Sequence, residues 1–182
     1  DLRNLRDSFL SLWESVLTVD ALARSFGMAP KSILTKCSGF VPLAHRSQWV
    51  DEIKGVAFIN DSKATNVDAT IHALKTFKNV HLILGGRAKE DNFSQLKDNM
   101  KNISRIYLIG EAAGLIASNF EGQEIEQFDT LNDAFDSAIS IATQGDTILF
   151  SPACASFDQY LNFEERGKHF ISLVQEYRKN II

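Results

Sequence analysis

Cysteine and proline are scarce in this chain, with two cysteines, Cys37 and Cys154, and three prolines in 182 residues. The cysteines lie far apart and build no disulfide framework, so both are expected to be free thiols in a reducing compartment. No apolar run reaches the roughly 18–20 residues that a membrane-spanning helix needs. The opening residues, Asp1-Leu-Arg-Asn-Leu-Arg6, lack the shape of a signal peptide. Positive charge is not in excess either. A formal net charge of −4 and a pI near 5.6 argue against a dedicated nucleic-acid or membrane-surface protein. The glycine fingerprints of nucleotide sites, G-x-G-x-x-G and G-x-x-x-x-G-K-S/T, occur nowhere, which disfavours a dinucleotide-dependent dehydrogenase. Neither His72, His81 nor His169 has metal-ligand spacing, and no metal site is expected in this chain. There is no initiator Met, and the chain is expected to be a piece of a longer one.

What is present is a core. With 45% apolar and 23% charged residues the chain can bury a packed interior. Residues 1–46 and 47–182 differ in pattern. The first part carries only helical signals: Leu5, Phe9, Leu12, Val16 and Leu17 recur at helical spacing, a second helix from about Val19 to Phe26 stops at Gly27, and a third starts around Pro30. From residue 47 onward strands at 49–53, 56–60, 80–84, 105–109, 125–128 and 147–150 are expected to alternate with helices at 66–77, 93–101, 111–119, 131–143 and 157–179. Nearly continuous apolar runs such as Val80-His-Leu-Ile-Leu84 fit strands covered on both faces. The alternation predicts an α/β fold, a doubly wound, mostly parallel, Rossmann-like sheet. Lys54-Gly55 separates the first two strands as the turn of an antiparallel hairpin at one edge, and a short helical segment precedes the whole.

Ligands of open parallel sheets bind beyond the carboxyl ends of the strands. Three segments with unusual chemistry fall at such ends. In Asn60-Asp-Ser-Lys-Ala-Thr-Asn66, Asp61 can accept hydrogen bonds from a ribose or hold a cation, Lys63 suits phosphate or carboxylate, and Thr65 with Asp68 reads as a capping box. In Gly85-Gly-Arg-Ala-Lys-Glu-Asp-Asn92 the paired glycines allow close approach to a ligand or positive φ. Arg87 and Lys89 there add charge, and Asn92 with Gln95 reads as a cap. In Ser151-Pro-Ala-Cys-Ala-Ser-Phe-Asp-Gln159, Ser156 with Gln159 reads as a third capping box at the start of the last helix. Cys154 has no base specified beside it and reads as a small buried loop residue. Each signal has a bland alternative as a polar turn. Their coincidence makes an electropositive patch in an acidic protein, suited to a small ligand bearing carboxylates or phosphates. His45-Arg46 reads as a surface pair, Trp13 and Trp49 as core or domain-packing residues, and Glu121 to Asp133 as a solvated edge.

These same segments, Asn60-Asp-Ser-Lys-Ala-Thr-Asn66, Gly85-Gly-x-x-Lys89-x-x-x-Phe93 and Ser151-Pro-Ala-Cys-Ala-Ser-Phe-Asp-Gln-Tyr-Leu-Asn-Phe-Glu-Glu-Arg-Gly167, closely resemble the C-terminal domain of the Mur ligase family. The Asp-Ser-Lys-Ala-Thr stretch resembles its D-glutamate-adding branch. The resemblance runs from about Ile33 to the last helix and implies that residues 1–46 close the family's central ATP-binding domain, with 47–182 the C-terminal amino-acid-binding domain. It implies an ATP-dependent ligation of D-glutamate onto the alanyl carboxylate of UDP-N-acetylmuramoyl-L-alanine through an acyl phosphate, with Mg²⁺ neutralising phosphate charge. A monomeric enzyme of the bacterial cytoplasm is expected. Residue by residue, Thr65, Lys89, Ser156 and Phe163 match positions that hold D-glutamate, with Phe157 beside them. Arg46 and Asp61 match contacts to ATP phosphate and ribose, and Lys63 matches a catalytic position near the reacting groups. Two departures stand out: Ser47-Gln48 replaces the family's Phe-Glu, and Lys89-Glu-Asp-Asn-Phe93 replaces Lys-x-x-Asp-Phe. The P-loop, the metal-binding or carbamylated-lysine segment and the uridine-binding domain are missing, so this chain alone is expected not to catalyse. A non-catalytic α/β module for a small anion or nucleotide, and a related ligase of folylpolyglutamate type, remain alternatives.

Overall fold

The computed structural model describes residues 13–29, 43–120 and 122–181. The chain divides into two compact units, 1–43 and 44–182. In the first, one helix, α1 (Trp13–Ser25), runs through the point at 17–19 where the periodicity predicted a break, and it stops before Gly27, whose φ is 78°. The predicted start of a helix at Pro30 lies outside the described residues, as does Cys37.

The second unit is built on strands β1 (Gln48–Ile53), β2 (Val56–Asn60), β3 (Val80–Gly85), β4 (Ile103–Ile109), β5 (Ile125–Phe128) and β6 (Thr147–Phe150). Its helices are α2 (Val67–Thr76), α3 (Ala113–Ser118), α4 (Leu131–Ile141) and α5 (Phe163–Ile181). The expected α-helix at 93–101 is a 3₁₀ helix, Phe93–Asn102, burying only Phe93 and Leu96. The sheet order is β1-β2-β6-β3-β4-β5. Every pair is parallel except β1 with β2, the predicted edge hairpin, which turns at Lys54 (φ 53°) and Gly55 (φ 76°).

Alternate residues of the central strands face two separate cores, as the period of two requires. Ile59, Leu82, Leu84, Ile106, Leu108 and Leu149 pack with α2, the 3₁₀ helix and α3. Phe58, Ile83, Tyr107, Ile109, Ile148 and Phe150 pack with α4 and α5 on the other face. The doubly wound expectation therefore holds. Trp49, read as a core or domain-packing residue, is 54% exposed on the edge strand and takes no part in either core.

The last strand in sequence, β6, lies between β2 and β3. Chain leaving β2 and β3 goes to one face and chain leaving β6 goes to the other. A crevice must open where these connections part, at the carboxyl ends of β2, β6 and β3.

Candidate functional site

All three singled-out segments meet at that point, and backbone hydrogen bonds stitch them together. Asp61 N donates to Phe150 O (2.8 Å), carrying the β2–β6 ladder into the first loop. Gly85 N donates to Pro152 O (2.9 Å), while Arg87 and Ala155 exchange two N–H···O bonds of 2.9 Å as an isolated antiparallel bridge. Ala153 takes φ 55°, a left-handed turn that an alanine adopts only under constraint. The glycine pair has positive φ as expected, but what it approaches is the protein's own backbone. A Cβ on Gly86 would lie 2.4 Å from Ala155 O.

The capping boxes are not where sequence spacing put them. Asn66, not Thr65, caps α2, its side chain accepting Ala69 N at 2.9 Å. Ser156 and Gln159 belong to a turn in which Ser156 O accepts Gln159 N (3.1 Å) and Tyr160 N (2.8 Å). The last helix begins at Phe163, with Asn162 Oδ1 accepting Glu165 N at 2.7 Å. Asn92 makes no side-chain cap; its amide donates to Glu90 instead. At α2 and α5 a nearby asparagine wins over the Thr65 and Ser156 matches, because the spacing ignores where the chain leaves the preceding loop.

Asp61 is buried, its Oδ1 accepting the Ser47 amide (2.8 Å) and its Oδ2 the Ser151 hydroxyl (2.7 Å), with Thr70 Oγ1 a further 3.0 Å from Ser151 Oγ. Burial pushes its pKa up to about 6 against these hydrogen bonds, which pull it down. His45, read from sequence as a surface residue, is buried, and Arg46 beside it is exposed. His45 and Ser47 have φ of 64° and 40°. The departure at Ser47-Gln48 has a structural use here: Ser47 N holds Asp61, and Gln48 Oε1 accepts His45 N at 2.9 Å.

Lys63 is half-buried, its Nζ 4.7 Å from the centroid of the Phe163 ring. His45 meets the same ring edge-on at 6.2 Å. Lys63, Phe163 and the 45–47 segment are thus brought together. Ser156 is buried next to the Arg87–Ala155 bridge, which ties it to the loop carrying Lys89. Thr65 is half-buried, Lys89 is exposed and Phe157 is 62% exposed, so these three are open to a ligand rather than consumed by the fold. Arg87, counted as positive charge from sequence, is neutralised by a two-pronged pair with Glu111 at 2.7 and 2.9 Å. Glu124 and Glu126, read as solvated edge, both pair with Arg105.

Sequence reasoning passed over two residues. Asn60 is fully buried and its amide lies 2.9 Å from His45 Nδ1 and 3.3 Å from both Gln48 Oε1 and Gly167 O, while its Oδ1 accepts Ser62 N. Arg166, 1% exposed, donates from Nη2 to Ser62 O (2.8 Å) and Cys154 O (3.0 Å). A signal for Arg166 existed: it stands four residues before Phe170 and eight before Val174, on the apolar face of α5.

Burial holds the Cys154 thiol at a pKa of about 12, so it is no nucleophile. Iodoacetamide at about pH 8 is expected to leave Cys154 unmodified in the folded protein and to alkylate it in the unfolded chain, as read by peptide mass mapping. Comparable rates in both states would refute the burial. A cavity of about 470 Å³ opens nearby at the ends of β4 and β5, lined by Gly110, Glu111, Gly114, Phe128, Asp129 and Asp158. It shares Asp158 and Gln159 with the third segment but contains none of the residues matched to D-glutamate or ATP, and Asp129 and Asp158 on its wall disfavour an anionic ligand.

Among the described residues no helix is long and apolar enough to cross a membrane, and no group of three His, Cys, Asp or Glu side chains could hold a metal.

The fold has relatives among solved structures. It superposes on UDP-N-acetylmuramate-alanine ligase of Thermotoga maritima with a TM-score of 0.62 at 16% identity, covering 89% of this chain and 37% of that one. For a bifunctional folylpolyglutamate synthase/dihydrofolate synthase of Yersinia pestis the TM-score is 0.56 at 18% identity, covering 84% and 35%. In sequence, the chain is 42% identical over 165 residues to UDP-N-acetylmuramoylalanine–D-glutamate ligase of Koribacter versatilis, covering 90% of this chain and 36% of the relative. To the enzyme of that name from Desulfatibacillum aliphaticivorans it is 46% identical over 138 residues, covering 74% and 31%. The chain thus spans about a third of the length of these curated relatives. Residues 45–154 match the family described as Mur ligase, glutamate ligase domain. With this match over more than half its length, and with the crevice formed by the loops that carry it, the chain belongs to the Mur ligase family.

Proposed function

We propose that this chain is the amino-acid-binding part of an ATP-dependent, amide-forming ligase that joins D-glutamate to UDP-N-acetylmuramoyl-L-alanine in peptidoglycan precursor synthesis. The convergence of the loops after β2, β3 and β6 on one crevice carries the reading, since that crevice offers cations and hydroxyls to a dicarboxylate. Identity above 40% to relatives of that name supports the choice of D-glutamate. Within this reading residues 1–46 close the ATP-binding domain and 47–182 form the amino-acid domain. The protein acts as a monomer in the bacterial cytoplasm.

D-Glutamate is held by Lys89 as a mobile counter-charge, by the Thr65 and Ser156 hydroxyls, and by the first turn of α5 at Phe163, where amide N–H groups have no helical partner. Exposed Phe157 covers the ligand. Holding both carboxylates leaves the amine free to attack. Lys63, steadied over the Phe163 ring, is the catalytic cation beside the reacting carboxylate.

ATP, when bound, supplies the phosphoryl group that activates the acceptor carboxylate. Arg46 is exposed and has the fork geometry for phosphate oxygens. Asp61, matched to the ribose, also fixes the backbone that carries Arg46 through its bond to Ser47 N. Among the described residues no donor set fits Mg²⁺, and its ligands are assigned to the rest of the protein.

The test is ADP release by the full-length protein given ATP, Mg²⁺ and UDP-N-acetylmuramoyl-L-alanine. Release is expected with D-glutamate, not with L-glutamate, and Lys89→Ala is expected to raise KM for D-glutamate at least about tenfold. The 182-residue chain alone is expected to release none. Equal turnover with L-glutamate, or ligation by this chain alone, overturns the assignment.

A further inference from the structure

Among the described residues Arg166 is the only lysine or arginine that is buried. It lies under all three loops of the crevice. Its Nη2 holds Ser62 O of the first loop and Cys154 O of the third, and its Nη1 would be 3.2 Å from a Cβ on Gly86 of the second. Its guanidinium carbon also sits 5.8 Å from the Phe150 ring centroid. Nε and Nη1 have no hydrogen-bond partner among the described residues, and neither does the neighbouring Ser62 Oγ. The titratable groups that face it are Cys154, Asp158 and Tyr160; burial keeps the thiol and the phenol protonated, with pKa values of about 12, and none of the three forms an ion pair with it. Burial lowers its pKa to about 10, so it stays cationic at neutral pH.

A buried cation without a counter-charge is costly, and an anion brought near it in a low-dielectric setting recovers part of that cost. The other crevice cations, Lys63, Lys89 and Arg46, are half-buried or exposed and therefore more strongly screened. We propose that Arg166 is a positioning residue that makes the crevice selective for a doubly negative amino acid, its fixed charge favouring a second ligand carboxylate over the isosteric amide while its hydrogen bonds set the spacing of the loops. This rests on the ligase reading and adds to it the origin of the preference for a dicarboxylate.

The test is the ratio of kcat/KM for D-glutamate to that for D-glutamine in the full-length ligase. The two ligands differ in one negative charge at nearly constant shape. Arg166→Met and Arg166→Gln are expected to lower the ratio at least about tenfold, with KM for ATP within about threefold of wild type, while Arg166→Lys keeps the ratio within about threefold. A purely structural role would weaken both amino acids and ATP together and leave the ratio unchanged; that outcome, or a lysine variant as poor as the neutral ones, overturns the inference. If neither neutral variant folds, Arg166→Lys decides. A buried lysine loses its charge at lower pH than arginine, so its ratio should fall at least about threefold between roughly pH 6.5 and pH 9 while the wild-type ratio stays level. Level ratios in both overturn the inference. Absence of D-glutamate-dependent ADP release from wild type would instead refute the ligase reading on which it rests.

Discussion

Gly86→Ala is expected to destabilise the 182-residue chain by about 2–6 kcal/mol, from backbone strain of roughly 1–3 kcal/mol and overpacking of similar size. The backbone at Gly86 has φ 132°, where L-residues are strained whatever the space around them. There is also no space: a Cβ would sit 2.4 Å from Ala155 O and 3.1 Å from Cys154 Cβ. Neither neighbour can yield freely. Ala155 is held by its bridge to Arg87, Gly86 N donates to Ile109 O (3.0 Å), and Gly86 O accepts Ala112 N (2.9 Å). The residue therefore links the ends of β3, β4 and β6, and a shift there moves the whole crevice. At about 2–4 °C per kcal/mol for a protein of this size, the melting temperature should fall by on the order of 10 °C. Gly114→Ala is the control. It lies in α3 without positive φ and with open space around the missing Cβ, so alanine should be neutral or stabilise by up to about 1 kcal/mol. Equal melting temperatures for the two variants would show that the packing at Gly86 is not rigid.

Asp61→Asn is expected to remove about 1.5 kcal/mol of the stability gained on acidification from about pH 8 to pH 5. The carboxyl pKa in the folded protein is about 6 against a reference of 3.8, raised first by desolvation. Because the folded-state value is the higher one, the folded protein binds the proton more tightly than the unfolded chain. The stabilisation this gives is complete below about pH 3.8 and is lost as pH rises through about 6. The difference of about 2 units corresponds to about 3 kcal/mol, of which about 1.5 kcal/mol appears between roughly pH 8 and pH 5. Histidines oppose this trend. Burial lowers the pKa values of His45, His81 and His169, so acidification below about 6.5 destabilises through them. Those groups are common to both proteins, so the wild-type minus Asp61→Asn difference in unfolding free energy isolates Asp61. Denaturant titrations at several pH values should show wild type gaining about 1.5 kcal/mol relative to the variant on going from pH 8 to pH 5. Parallel curves would mean that Asp61 is not desolvated.

Several features were legible in the sequence because their physics is local. The six strands, found within two residues at either end, follow from short apolar runs between turn residues, and the edge hairpin from Lys54-Gly55. Cys154 reads as a buried loop residue because no base is specified beside it. Other features depend on what a segment meets after folding. Thr65 and Ser156 match the spacing of a cap, yet Asn66 and Asn162 do the capping because the chain turns once more before each helix. Arg87 counts as free charge until Glu111, far along the chain, is brought to its side. Between the core and domain-packing readings of Trp49, its place on the edge strand removes the first.

By itself the sequence determined the α/β class, the alternation of elements, the hairpin and the three loops with binding chemistry, since hydrophobic period and turn composition act over a few residues. The sequence also led to the expectation that these loops lie together at one edge of the sheet, and only the tertiary structure decided which strand order brings them there. That order rests on the insertion of β6 between β2 and β3, a pairing between strands some 65 to 90 residues apart, about which local periodicity carries no information. The same insertion brings α5 down onto the crevice and buries Arg166 beneath it, turning a charged residue on an apolar helix face into the fixed cation of the site.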